Sequence, residues 1–226
     1  MNYVEYGKEN KYDDNIFFQK YSQMSRSQQG LAGAGEWETL RELLPDFKDK
    51  RVLDLGCGYG WHCIYAMEHG ASSALGVDIS HKMLEVAKEK THFPQVEYKC
   101  CAIEDVEFPE ESFDVILSSL AFHYVADYEI LVKKIYRILK SGGKLVFTVE
   151  HPVFTAYGTQ DWHYNEKGEI LHFPVDNYYY EGKRTAMFLE EKVTKYHRTL
   201  TTYLNTLLSN GFIINHIVEP QPPEYL

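Results

Sequence analysis

The sequence predicts an α/β fold, with helices on both faces of a doubly wound, mostly parallel sheet. Three observations predict it. An apolar run, Val52, Leu53 and Leu55, passes straight into Gly56, Gly58 and Gly60 and then into a helical stretch. A second short apolar run, 74–77, stops on an acid, Asp78. Two more apolar runs, 113–120 and 144–149, flank another helical stretch, and such alternation of strand and helix builds a parallel sheet.

The 226 residues suit one domain with additions. These divide into a helical N-terminal cover (1–50), a sheet core (51–150), an aromatic insertion (153–190) and a C-terminal helix and strand (191–226). Apolar residues make up 44%, enough for a sizeable core. Nowhere do about 18 apolar residues follow one another, and the first residues lack a basic and then apolar leader. A cytoplasmic protein with neither membrane span nor signal peptide is expected. The formal net charge of -10 argues against a nucleic-acid footprint, which needs a basic face. Cys57, Cys63, Cys100 and Cys101 form no C-x-x-C pair, so buried free thiols are expected and a metal site is not.

In chain order, Asp13-Asp14 caps a helix carrying Ile16, Phe17, Phe18 and Tyr21. A second helix, 36–44, has Trp37, Leu40, Leu43 and Leu44 on one face and Pro45 at its end. After the first strand and glycine turn comes a helix over 60–69, stopped by Gly70. Ser80 caps the helix after the second strand. The third strand is 96–100. The fourth, 110–120 with its lead-in turn, is mainly apolar and so buried on both faces. A helix over 127–139 turns Ile130, Leu131, Ile135 and Ile138 inward, and Gly142-Gly143 ends it before the fifth strand.

Between 153 and 190, Phe154, Trp162, Tyr164, Phe173, Tyr178, Tyr179, Tyr180 and Phe188 crowd a stretch without helical period, with turns at Gly158, Gly168 and Gly182. A lid over the active site is expected there; a dimer interface or a surface subdomain are the alternatives. Residues 191–197 are extended, Thr199 caps a helix stopped by Gly211, and 212–218 forms a sixth strand.

A strand, a glycine turn and a helix make a nucleotide site over the strand's carboxyl end. The dinucleotide fingerprint G-x-G-x-x-G would need a third glycine where Trp61 stands. Here the pattern is G-x-G-x-G, with Asp54 two residues before it. Asp78, about 20 residues further on, suits ribose hydroxyls, because a carboxylate accepts and does not donate.

Residues 54–60 (Asp-Leu-Gly-Cys-Gly-Tyr-Gly) resemble motif I of the class I S-adenosylmethionine-dependent methyltransferases, of the type 11 kind. So do Gly-Val-Asp-Ile-Ser-x-x-Met-Leu at 76–84, Ser-Phe-Asp-Val-Ile at 112–116 and Leu-Lys-Ser-Gly-Gly at 139–143. The resemblance implies a Rossmann-like fold, S-adenosylmethionine as cofactor and methyl transfer. It implies cofactor contacts from Asp54, Gly56, Cys57, Gly58, Gly60, Asp78, Ile79, Ile103, Glu104 and Ser118. Ala102 stands where many members carry an adenine-binding acid, which leaves that contact to Ile103 or Glu104. In the cover, Tyr21, Met24 and Arg26 are placed for the methionine end, with Arg26 pairing with its carboxylate. The family adds a final antiparallel strand with no candidate here, so either the chain is truncated or the insertion supplies an edge strand.

Candidate bases are His123, at the mouth of the cleft after the fourth strand, and His151 after the fifth; Glu150 could orient His151 or bind the acceptor. His197 and Arg198 are weaker candidates for substrate contact. Neither the Asn/Asp-Pro-Pro-Tyr motif of amino-methylating DNA enzymes nor the Pro-Cys pair of cytosine-C5 enzymes is present. This favours a small-molecule acceptor with an apolar or aromatic body, and a monomer or homodimer. Two rivals stand beside this: an NAD-dependent oxidoreductase, disfavoured by Trp61, and a non-catalytic S-adenosylmethionine-binding module with a protein partner.

Overall fold

The computed structural model describes residues 8, 10–157 and 161–221. The N-terminal cover is α1 (Asn15–Ser22), α2 (Ser25–Gln28) and α3 (Trp37–Leu43). The core follows as β1 (Arg51–Leu55), α4 (Trp61–Glu68), β2 (Ser73–Asp78), α5 (His81–Lys90), β3 (Val96–Cys100), β4 (Phe113–Ser119), α6 (Tyr128–Ile138) and β5 (Leu139–Thr148). Then come α7 (Pro152–Ala156), β6 (His163–Tyr164), β7 (Ile170–His172), β8 (Gly182–Phe188), β9 (Glu191–His197) and α8 (Leu200–Ser209).

The five core strands are all parallel, in the order β3-β2-β1-β4-β5. The order reverses between β1 and β4, and this topological switch point opens a crevice at the carboxyl ends of the two strands. Val52, Leu53, Leu55, Ile116 and Leu117 are buried on both faces of the sheet, as their unbroken apolar runs require. α6 lays Leu131, Ile135 and Ile138 on the core at helical spacing. The predicted caps form: Asp14 accepts from the Ile16 and Phe17 N–H groups, Ser80 from Met83 and Thr199 from Thr202.

Several expectations need correction. Ile130 is 52% exposed, because it lies one residue off the Leu131–Ile135–Ile138 stripe. The Gly142-Gly143 turn is a bulge inside a longer β5, where the register against β4 shifts between Phe113 and Val115. Among the described residues, 212–218 is not a strand. Phe212 and Ile214 pack on the core and Ile213 is 86% exposed, the alternation of a strand, yet no ladder partner meets them. The segment lines, together with β5, a groove of about 1230 Å³ along the open sheet edge. Among the described residues, the insertion supplies no edge strand either: β6 pairs with β7 and β8 with β9 in separate antiparallel ribbons. Cys57 and Cys63 are buried free thiols as expected, whereas Cys100 is exposed. The expected turn at Gly158 and the last residues, 222–226, lie outside the described residues.

Candidate active site

β1 and β2 end side by side, and the turns that leave them touch. Asp78 Oδ2 accepts from the Gly58 N–H at 2.9 Å, and Oδ1 from the Ser80 N–H at 2.9 Å. The acid at the end of β2 and the glycine turn after β1 are thus one constellation. Gly56 has a φ of 79° and lies so close to the end of β4 that a Cβ would come 2.5 Å from Ala121 Cβ. At Gly58, with a φ of 52°, a Cβ would meet nothing within 4 Å. The backbone there faces open space in which a ligand can lie against it. Burial pushes the Asp78 carboxyl up, opposed by the N–H groups of Ser80 and Gly58.

A cavity of about 80 Å³ adjoins this turn, walled by Tyr21, Arg26, Glu36, Trp37, His62 and Ser119 among others. Arg26 Nη2 donates to Glu36 Oε1, and Ser119 Oγ donates to the same oxygen at 3.2 Å. Behind the wall, Asp54 is wholly buried and neither carboxylate oxygen has a hydrogen-bond partner. Burial, reinforced by the charge of Asp78, pushes its carboxyl up to about 8. His62 Nδ1 is 3.8 Å from Asp54 Oδ2, and burial pulls this imidazole down to about 4. Both shifts favour the uncharged form, so the pair adds no net charge at neutral pH.

The N-terminal cover packs directly over the crevice. Asp13 accepts from Ser80 Oγ at 2.6 Å and from the Lys82 N–H at 3.1 Å, closing on the start of α5. Tyr21 and Phe18 pack edge-on against Tyr59 of the glycine turn, with ring centroids 6.0 and 6.2 Å apart. The same cover is tied to the β8–β9 ribbon: Phe17 packs with Ala186 and Val193, and Lys20 Nζ lies 2.6 Å from Glu190 Oε2.

At the ends of β4 and β5 the backbone is strained: Leu120 has a φ of 52° and its N–H donates to Thr148 O and Oγ1. His123 is not at the cleft mouth; it is 2% exposed, drawn into the core by the turn that follows β4. Its Nδ1 accepts from the Glu150 N–H at 3.4 Å, which puts the proton on Nε2, 3.9 Å from Glu150 Oε1. Burial holds this imidazole down to about 4, so it is neutral. Glu150 Oε1 also takes Lys195 Nζ of β9 at 2.5 Å, and the Lys195 side chain is only 3% exposed. His151 caps α7 through Nδ1 and contacts Glu219 through Nε2 at 2.6 Å. His197 bridges Thr155 and the Tyr178 carbonyl, both at 2.8 Å, and Arg198 donates to the Val125 and Ala126 carbonyls.

Of the residues singled out in the sequence, Gly56, Cys57, Gly58, Tyr21 and Arg26 wall the cavity. Gly60 starts α4 beside them, and Asp78 and Ile79 lead into α5. Ser118 faces elsewhere, its Oγ donating to the Leu55 carbonyl and tying β4 to β1. Ile103 belongs to the core, and the Glu104 carbonyl accepts from Lys134. Met24 opens α2 without reaching the cavity. His123, His151 and Glu150 do not wall it either. Sequence reasoning missed Glu36, Trp37, His62 and Ser119; His62 and Ser119, each in or just after the matched motifs, carried the only available signal.

Residues 53–147 match the family described as "Methyltransferase domain". A crystal structure from Listeria monocytogenes, described as a candidate S-adenosylmethionine-dependent methyltransferase, is 57% identical, with 83% of this chain and 88% of that chain covered and a TM-score of 0.80. The S-adenosylmethionine-dependent methyltransferase from Mesorhizobium loti is 41% identical over 87% of this chain and 89% of its own, also with a TM-score of 0.80. The ubiquinone biosynthesis O-methyltransferase of Coxiella burnetii is 35% identical over 112 residues, which span 49% of this chain and 47% of that enzyme.

Proposed function

Because the chain belongs to the S-adenosylmethionine-dependent methyltransferases, we propose that it transfers a methyl group to a small-molecule acceptor. The observation that carries this is the hydrogen bond from Gly58 to Asp78 beside a cavity containing one cation and one anion, Arg26 and Glu36. The residues fit the cofactor. Asp78 retains acceptor capacity for ribose hydroxyls, Gly58 leaves room for the nucleoside, and Arg26 suits a carboxylate. Bound S-adenosylmethionine supplies a methyl group already activated on a sulfonium.

The cavity of about 80 Å³ is well below the roughly 300 Å³ or more of a small-molecule site. Admission of the cofactor therefore takes an outward movement of the cover, hinged away from Ser80 and Tyr59. The β8–β9 ribbon, packed on α1, moves with it as part of a lid. Once shut, these elements exclude water and align the two reactants, and such alignment can contribute up to about 7–11 kcal/mol.

The chain needs no base of its own for an acceptor that loses its proton easily. His123 is better suited to positioning than to proton abstraction, since its one lone pair is occupied by the Glu150 N–H. Glu150, held by Lys195, then organises the acceptor side. A small-molecule acceptor is supported by the net charge of -10 and by the similarity to an enzyme of ubiquinone biosynthesis. Four free thiols, with Cys100 exposed, favour a reducing compartment such as the cytoplasm. Among the described residues, no helix is long and apolar enough to cross a membrane.

The test is incubation with methyl-labelled S-adenosylmethionine and fractionated metabolite extracts. Label in a low-molecular-weight product is the expected result. Label confined to added protein or nucleic acid would overturn the small-molecule acceptor.

A further inference from the structure

The cavity beside the glycine turn holds a charge arrangement that the family resemblance did not point to. Arg26 comes from α2 and Glu36 from the residue before α3, and their side chains are 23% and 18% exposed. Among the described residues, every bond Glu36 makes goes to Oε1, from Arg26 and from Ser119. Its Oε2 makes none, so half of a half-buried carboxylate's acceptor capacity is open. Glu36 also walls both the small cavity and the β5 groove.

Of the other acids nearby, Asp78 is held by the Gly58 and Ser80 N–H groups and Asp54 lies behind His62, and neither walls the cavity. His62, buried and neutral, offers no charge. The cavity therefore presents one cation and one anion already in contact. An α-amino-acid end group carries the same two charges in reverse. Inserting it turns one ion pair into two and leaves no charge uncompensated in a half-buried site.

We propose that Glu36 receives the cofactor's α-ammonium group, through an exchange in which Arg26 leaves Glu36 for the cofactor's carboxylate. Ser119 steadies Glu36 during the exchange and couples it to the end of β4, where Leu120 holds its strained backbone. The contact between Arg26 and Glu36 thus keeps the methionine end of the site preformed before the cofactor arrives. The proposal rests on the cofactor assignment and adds the residue that recognises its amino group.

The test is calorimetric titration with three ligands. S-adenosylhomocysteine carries both end charges, decarboxylated S-adenosylmethionine keeps only the amine, and 5′-methylthioadenosine has neither. Glu36→Gln is expected to weaken the decarboxylated ligand about tenfold or more, the scale of a hydrogen bond between charged groups. S-adenosylhomocysteine should weaken less, because the substitution also frees Arg26 for its carboxylate. Methylthioadenosine should bind as it does to the wild type, which also shows that the variant is folded. Arg26→Met should weaken S-adenosylhomocysteine and spare the decarboxylated ligand. Unchanged binding of the decarboxylated ligand by Glu36→Gln would overturn the proposal, as would equal weakening of all three. It would also fall if Asp54→Asn, rather than Glu36→Gln, gave the ligand-selective loss. A wild type that binds none of the three would remove the cofactor assignment itself, a different result from any of these.

Discussion

The two halves of the crevice are put together in different ways. On the β1–β2 side, backbone groups do the positioning: Gly58 and Ser80 N–H hold Asp78, and all three residues lie within one stretch of β-turn-helix units. On the β4–β5 side, side chains from remote segments do it. Lys195 of β9 reaches Glu150, Arg198 reaches the Val125 and Ala126 carbonyls, and His197 joins Thr155 to Tyr178. The Gly58–Asp78 contact of the cofactor side is therefore fixed by local sequence, while its cavity wall is completed by Arg26 and Glu36 of the cover. The side proposed for the acceptor depends instead on how residues 155–198 pack.

The comparison can be broken or sharpened by substitution. The largest effect is expected at Asp54. Its folded-state value of about 8 is above the ordinary carboxylate value of 3.8, so the folded chain binds a proton that the unfolded chain has lost. Stability should then fall as pH rises from about 4 to 8, by at most about 6 kcal/mol. Asp54→Asn should remove that slope and stabilise the cofactor-free protein at pH 8 in urea titrations. A slope retained in the variant would assign the proton to another group.

Next in size, Asp78→Ala should weaken S-adenosylhomocysteine by about 1.5–3 kcal/mol in calorimetry, with no loss at the acceptor side. Glu150→Gln tests the other half. It takes the charge from opposite a nearly buried Lys195 and should lower stability by about 1–3 kcal/mol while leaving cofactor affinity unchanged. Loss of cofactor affinity in this variant would mean that the halves are not separable. The smallest effect belongs to Lys20→Ala. Lys20 and Glu190 are 35% and 85% exposed, so thermal unfolding should shift by no more than about 0.5 kcal/mol.

The same division explains what could be read in the sequence. β1, β2 and β5 could be placed because an apolar run and a glycine or acid lie next to one another in the chain, and β4 because its apolar run is long. Asp78 was identified because the spacing from the glycine turn is set by one βαβ unit. Glu36 was placed only as the start of a helix, since its partner Arg26 and its neighbour Ser119 meet it through the folding of the cover and not through spacing. His123 and His151 drew attention by position after strands, but a residue's position at a strand end does not determine where its ring points. One is turned into the core and the other caps α7. Residues 212–218 carry the alternation of a strand, and pattern cannot reveal that no ladder partner is at hand.

Hydrogen exchange of the protein with and without saturating S-adenosylhomocysteine tests most directly whether the glycine turn, the β2 acid and the cover form one site. The expected result is joint slowing in residues 56–60, 78–82 and 12–28, with the segment 121–126 less affected. Ligand binding without slowing in 56–60 and 78–82 would contradict it.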